Sequence, residues 1–261
     1  MDTRQFYSLL EPSGIRSKLS GKITLTELIK GTVKLPTIIA IGALGQVFLM
    51  KVLPPRLAIL PVALVSLHAI FTTALQLASG KYNTFMDNVV PGRSSAQLPY
   101  LETGKHGFEA ASQPVVVFHF GVRFSHPLGL LGPGGREIGD HFQKCLEAVQ
   151  RDAELYGLLG VSDWRGNEVD EKSGGERTNF AILQVYYFRD AAGLHRFAHS
   201  AIHRAAWTWT IRNAHPHIGF FHETFCVPRG AYENIYVNMP PTLFGQARVL
   251  CKSTPSSSQN T

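Results

Sequence analysis

The chain has 261 residues, of which 44% are hydrophobic and 10% aromatic, with 24 glycines, 15 prolines and three cysteines. That suffices for a buried core and excludes disorder, a collagen-like repeat and a disulfide scaffold. Charged residues make up 17% against about 25% in an average soluble domain, so part of the chain suits a solvent other than water.

The net charge of +6 is unevenly placed: residues 1–80 hold eight basic and three acidic side chains, and the remainder holds 17 and 16. The histidines lean the other way, with ten of eleven between His106 and His222. A basic front therefore precedes a near-neutral, histidine-rich body, which argues against a nucleic-acid role.

Residues 1–34 read as a basic lead. Two apolar runs follow, Leu35 to Met50 and Leu57 to Ala78, separated by a short segment containing Lys51 and Arg56. A helical span needs about 20 apolar residues; the second run reaches that length, and the first does so when the Lys51 stem snorkels to the interface. Residues 35–79 are thus predicted to form a transmembrane helical hairpin. Arg4, Arg16, Lys18, Lys22, Lys30 and Lys34 precede it, which places the N-terminus in the cytosol by the positive-inside rule. An even number of spans returns the body to that side. The expected location is a membrane, that of the endoplasmic reticulum, with the body in a reducing compartment that suits Cys145, Cys226 and Cys251.

Residues 80–113 read as a linker. From Pro114 the pattern becomes that of an α+β domain. Val115 to Phe124 is β-branched and aromatic, with every even position apolar and His119 and Arg123 on the other face, so a strand is predicted. A helix follows from about Arg136 to Tyr156, its apolar stripe including Cys145. The preceding Gly-Pro-Gly-Gly at 132–135 lacks the lysine and hydroxyl of a phosphate loop. Leu158 to Trp164 is a short second strand, residues 165–178 a polar loop, and Phe180 to Phe188 a third strand. One helix is predicted over Ala191 to Arg212, on a stripe of Leu194, Phe197, Ala198, Ala201, Ile202 and Ala205. Strands at Phe220 to Val227 and Tyr232 to Met239 close the domain at 114–250, and residues 251–261 read as a disordered tail. The order βαββαβ is that of a ferredoxin-like unit.

His195, His199 and His203 recur every four residues, a spacing that lets a pair hold a metal. They step away from the apolar stripe beside Arg196 and Arg204, so they read as a solvated helix flank, and no metal site is expected. On the last strand, Tyr232, Asn234, Tyr236 and Asn238 share one face. A face with both rings and amides suits the wall of a cavity that orients a mostly apolar ligand. His222 alternates with Phe220, Thr224 and Cys226, whereas Glu223 lies with Phe221, Phe225 and Val227. A carboxylate among large apolar side chains is penalised by desolvation unless paired, so Glu223 is either an edge residue with a cationic partner, such as Arg123 or Arg229 by type, or a proton acceptor.

Three spaced motifs carry a family resemblance: HxxIGxxHE at His215 to Glu223, VPxGxYE at Val227 to Glu233, and IYxNMPP at Ile235 to Pro241. Together with the strand at 114–135 they resemble the α/β-barrel monooxygenase-like family found among tailoring enzymes of fungal secondary-metabolite pathways, including fumagillin-type biosynthesis. The resemblance implies a homodimer in which two ferredoxin-like sheets close face to face as a dimeric α/β barrel. It also implies oxidation of a lipophilic small molecule by O₂. Relatives in that superfamily work without metal or organic cofactor, and others, such as aldoxime dehydratases and haem-degrading enzymes, hold haem.

The resemblance supplies no catalytic residues. By residue type, His119 or His222 is the expected base, with Glu223 a further proton acceptor. Arg123, Trp164, Tyr186, Tyr232, Asn234, Tyr236 and Asn238 form the expected substrate-binding set. The function expected is that of a membrane-anchored monooxygenase hydroxylating a polyketide or terpenoid intermediate without metal or flavin. A haem-dependent dehydratase or oxygenase and a non-catalytic barrel that binds such an intermediate are the alternatives, the first separable by a Soret band.

Overall fold

The structure is a computed structural model that describes residues 4–9, 26, 29, 33, 35–100, 105–106, 109–166, 169–170, 175–176 and 180–252. In chain order, strand β1 (Arg4–Ser8) precedes helices α1 (Leu35–Val52), α2 (Pro55–Ala58) and α3 (Leu60–Ala78). Prolines mark the helix starts, Pro55 in α2 and Pro61 in α3, where a missing N–H costs nothing. Gln46 Nε2 donates to Ala58 O across the turn at 3.1 Å. No residue of α1 or α3 is buried; Leu44 is 70% and Val65 71% exposed. These are two long apolar helices with their side chains outward, which is weak evidence for membrane attachment because it rests on length and composition.

The expected linker is not free of structure. Within it, β2 (Val90–Ser94) forms, and Ala96, Leu98 and Ala111 are buried. The body then runs β3 (Val115–Phe124), α4 (Gly135–Arg151), α5 (Ala153–Tyr156), β4 (Leu158–Gly166), the two-residue strands β5 (Val169–Asp170) and β6 (Gly175–Glu176), β7 (Phe180–Phe188), α6 (Ala191–Ala198), α7 (Ala201–Arg212), β8 (Ile218–Val227), β9 (Tyr236–Met239) and β10 (Arg248–Lys252).

The main sheet has the order β4-β7-β3-β8 with every neighbour antiparallel. Numbered within the βαββαβ unit, that is second, third, first, fourth, the ferredoxin-like arrangement. The predicted strands at 115–124 and 180–188 match to the residue: the first has every even position apolar, and the second is a short apolar, aromatic-rich run that fits a strand covered on both faces.

Two expectations are corrected. The helix expected over 191–212 is two helices: Asp190 caps the first by accepting from Gly193 N at 2.7 Å, and Ser200 caps the second by accepting from His203 N at 3.4 Å. Competition from these side-chain acceptors restarts the helix and rotates its phase. The strand expected from Tyr232 begins only at Tyr236, and it pairs with β2 rather than with the sheet. Part of the lead and the first residues of the tail are likewise ordered together, since β1 pairs with β10 from Arg4↔Lys252 to Ser8↔Arg248; the rest of the expected tail lies outside the described residues.

Alternation divides the sheet into two faces. Val116, Phe118, Phe120, Val122 and Phe124 of β3 pack with Leu146 and Val149 of α4 and with Leu194 and Phe197 of α6. Val115 and Val117 turn to the opposite face, where Leu9, Ala96, Leu98, Phe244, Ala247 and Val249 cover one end. Beyond that cover the outer face is open: Phe221, Phe225 and Trp164 are 50%, 47% and 47% exposed. Gly121 leaves room for the Phe221 ring, which crosses it; an added Cβ would push that half-exposed ring aside.

Candidate active site

The predicted site residues divide between these two faces. On the outer face, His119 and Glu223 are direct cross-strand partners with Nδ1 and Oε2 3.6 Å apart, at side-chain exposures of 32% and 61%. The Phe225 ring meets His119 edge-on at 5.4 Å. Trp164 stands across Leu183 on the same face, and Arg123 shares it by register. The partner of Glu223 is therefore His119, rather than Arg123 or Arg229.

His222 and Tyr186 are on the other, helix-side face, Tyr186 buried in the layer between sheet and helices and His222 exposed at its edge. Phe118 separates them, its ring 5.7 Å from His222 and 5.8 Å from Tyr186. Here lies a cavity of about 100 Å³. Phe118, Phe120, Tyr186 and Phe220 of the sheet form its floor, Phe142 and Cys145 of α4 one wall, and Phe197, His203, Trp207 and Thr210 the wall from α6 and α7. Phe120 stacks on Phe142 at 5.7 Å, and Phe197 meets the His203 ring at 5.6 Å.

His203 is the residue that sequence reasoning placed elsewhere. Read as part of a solvated flank, it reaches the cavity because the helix restarts at Ser200, so the flank seen in one continuous helix is not the flank that forms. The usable signal was local: Ser200 is a strong N-cap, and from it His203, Trp207 and Thr210 fall on one face at i, i+4 and i+7.

The electrostatics of the cavity favour neutral groups. Burial holds His203 below its ordinary value of 6.5, opposed by a hydrogen bond it donates to the Ala198 backbone carbonyl and aided by smaller pushes from His199 and His222. Burial lifts the Cys145 thiol to about 11 and raises the Tyr186 phenol well above its usual value. The Tyr186 hydroxyl donates to Gln184 Oε1, and the Thr210 hydroxyl donates to Ala206 O at 2.9 Å. Two imidazoles, His141 and His203, line this cavity, and burial favours the free base of His203, the form that can accept a proton.

The four polar residues expected on the last strand are used structurally, at the covered end of the outer face. Tyr232 Oη donates to Gln113 O at 2.9 Å and Asn234 Nδ2 to Ala96 O at 3.0 Å, while Tyr236 Oη accepts from Gly245 N at 2.9 Å and Asn238 Oδ1 from Gly92 N at 2.8 Å. Tyr232 and Asn234 also border a cleft of about 300 Å³. They tie Gly92, Ala96, Gln113 and Gly245 to the body and do not join His222 and Tyr186.

Among the described residues, no group of three His, Cys, Asp or Glu side chains could hold a metal ion. A haem does not fit the helix-side cavity either: its volume of about 100 Å³ is below the roughly 300–1,000 Å³ of sites for drug-sized ligands. An engineered apolar cavity of about 150 Å³ takes one benzene, so this one suits a single reacting ring with the remainder of its molecule leaving through the mouth.

A family model described as "Monooxygenase af470-like" matches residues 115–244. Monooxygenase af470 of Aspergillus fumigatus is 40% identical over 216 residues, which cover 83% of this chain and 76% of that protein. Among solved structures, the aldoxime dehydratase OxdRE in complex with butyraldoxime is similar at a TM-score of 0.42 and 14% identity, over 64% of this chain and 42% of the dehydratase. A mutant of SnoaB, a cofactor-independent oxygenase from Streptomyces nogalater, is similar at a TM-score of 0.28 and 14% identity, over 42% of this chain and 90% of SnoaB.

Proposed function

We propose, since the chain belongs to the monooxygenase af470-like family and is a monooxygenase, that it oxidises a lipophilic keto–enol of polyketide or terpenoid type with O₂ inside the helix-side cavity. The observation that carries this reading is the half-buried His203, held below its ordinary value by burial, on the wall of an aromatic chamber.

In this reading His203 takes the proton from a substrate C–H or O–H acidified by an adjacent carbonyl. The imidazolium so formed stays beside the developing oxyanion, and the apolar walls exclude water, which strengthens that attraction. The substrate carbanion then passes electrons to O₂ and bonds to it, and His203 returns its proton to the peroxide. Loss of water leaves a carbonyl where a CH₂ stood. The balance closes: the carbon loses four electrons, O₂ gains four, one oxygen atom enters the product and the other leaves as water. His141, a second imidazole of the same lining, is available as a further donor.

The wider setting belongs to the same proposal. The helices α1 and α3 anchor the chain in a membrane, that of the endoplasmic reticulum, with the body in the cytosol; exposed apolar side chains and the basic residues before Leu35 support this. Two copies close their outer sheet faces over Phe221, Phe225 and Trp164, which buries the His119–Glu223 pair at the centre.

Oxidation of lipophilic keto–enols by the purified full chain under ¹⁸O₂ tests the reaction. The reading expects one labelled atom in the product and one in water, with no added reductant. An absolute need for a nicotinamide or flavin reductant, or a Soret band that tracks activity, would contradict it.

A further inference from the structure

The mouth of the cavity exposes apolar side chains next to arginines. Trp207 lines the cavity and is also 55% exposed. Ile211, one turn on, is 60% exposed, and Arg204 lies one turn before Trp207. The i, i+3 and i+4 spacings place these three in one stripe, beside the stripe of His203 and Thr210 that faces inward. The helix that supplies the stripe, α7, and α6 before it carry Arg196, Arg204 and Arg212 and no acidic side chain, whereas α4 mixes Arg136, Lys144 and Arg151 with Glu137, Asp140 and Glu147. A half-exposed tryptophan and an isoleucine flanked by arginines are the composition of a helix that lies in the headgroup region of an anionic bilayer.

We infer that the exposed stripe Arg204, Trp207 and Ile211 docks on the surface of an anionic membrane, so that the cavity opens into the acyl boundary and takes its substrate directly from the lipid phase. The inference rests on the membrane reading above and deepens it. Charge complementarity selects the occupant: the cytosolic leaflet is negative, and the stripe is cationic at its edges and apolar at its centre. A lipophilic substrate partitions into that layer, so a mouth immersed there meets it without a desolvated crossing through water.

The chain has three tryptophans, which permits a direct test. The full chain carrying Trp164→Phe and Trp209→Phe, leaving Trp207 as sole reporter, is reconstituted in vesicles of phosphatidylcholine and phosphatidylglycerol with brominated acyl chains. Trp207 emission falls about twofold relative to unbrominated vesicles, because a docked ring sits roughly 5–10 Å into the headgroup and acyl boundary. A chain retaining only Trp164 is not quenched. Arg204→Glu with Ile211→Glu, built in the Trp207-only background, restores emission while oxidation of a detergent-solubilised keto–enol is unchanged.

Several results would overturn the inference. A chain that co-floats with vesicles but keeps Trp207 unquenched and open to aqueous iodide has a free surface there. Trp207→Cys chains that cross-link to one another in vesicles have a second copy on that stripe. Failure to co-float removes the membrane reading together with the docking. Oxidation in detergent that persists in any of these cases leaves the proposed chemistry standing on its own.

Discussion

Replacing His203 by glutamine removes the proposed base while keeping a polar side chain of similar reach against Phe197. A positioned base contributes about 10²–10⁴-fold, equivalent to ~2.7–5.5 kcal/mol of transition-state stabilisation, so kcat/KM of His203→Gln falls by that factor with KM little changed. The pH dependence is the sharper readout. Because burial holds His203 below 6.5, the wild type keeps its free base through neutrality and loses activity only on an acid limb below that value; the variant has no such limb.

The same depression has a stability sign. Between the folded and unfolded values the unfolded chain binds more protons, so stability rises with pH across that window. It is lost on acidification, starting near pH 6.5, and His203→Gln flattens this slope. Oxygen uptake and denaturant melts over about pH 5–8, the range in which an imidazole titrates, measure both effects. A variant that retains more than about a tenth of wild-type kcat/KM, set against the 10²-fold minimum, or that keeps the acid limb, refutes the assignment.

With its thiol raised to about 11, Cys145 is about one part in a thousand thiolate at pH 8. Peptide mapping after iodoacetamide finds the exposed Cys226 alkylated first; equal rates would mean that the wall of α4 is open. Asn238 holds a left-handed backbone at φ 49° and accepts from Gly92 N at 2.8 Å, so Asn238→Ala costs about 1–2 kcal/mol in a denaturant melt and leaves kcat/KM unchanged; a loss of turnover without a loss of stability would return that residue to the substrate. Phe221→Asp with Phe225→Asp places two carboxylates on the open sheet face and converts a dimer to a monomer in sedimentation. Persistent dimers would move the interface elsewhere.

The sheet was legible because its signal is local. In β3 every even position is apolar, and β7 is an apolar run broken only by Gln184, so both read as strands from their own residues. His119 and Glu223 were correctly placed on the face opposite His222 and Phe220 by the same counting, although which face holds a cavity depends on helices that alternation does not describe. The break at Ser200 was hidden by an apolar stripe that runs on through Ala198 and Ala201. An alanine is at home on either side of a cap, and only the hydroxyl marks the restart. The clasp of Tyr232, Asn234, Tyr236 and Asn238 was hidden for a different reason. A ring and an amide that line a ligand cavity, and the same groups bonded to backbone, have the same local pattern, and for all but Tyr236 the partner lies more than a hundred residues away. The pairing of β1 with β10 joins the two ends of the described chain, a non-local contact that no window of sequence contains.

Which face of the sheet receives the substrate is the claim on which the account stands, and photolabelling measures it directly. A naphthyl diazirine bound to the full chain, irradiated and mapped by mass spectrometry, is predicted to mark Phe118, Phe142 and Trp207 around the helix-side cavity. Adducts confined to Phe221, Phe225 and Trp164 on the outer face would contradict it.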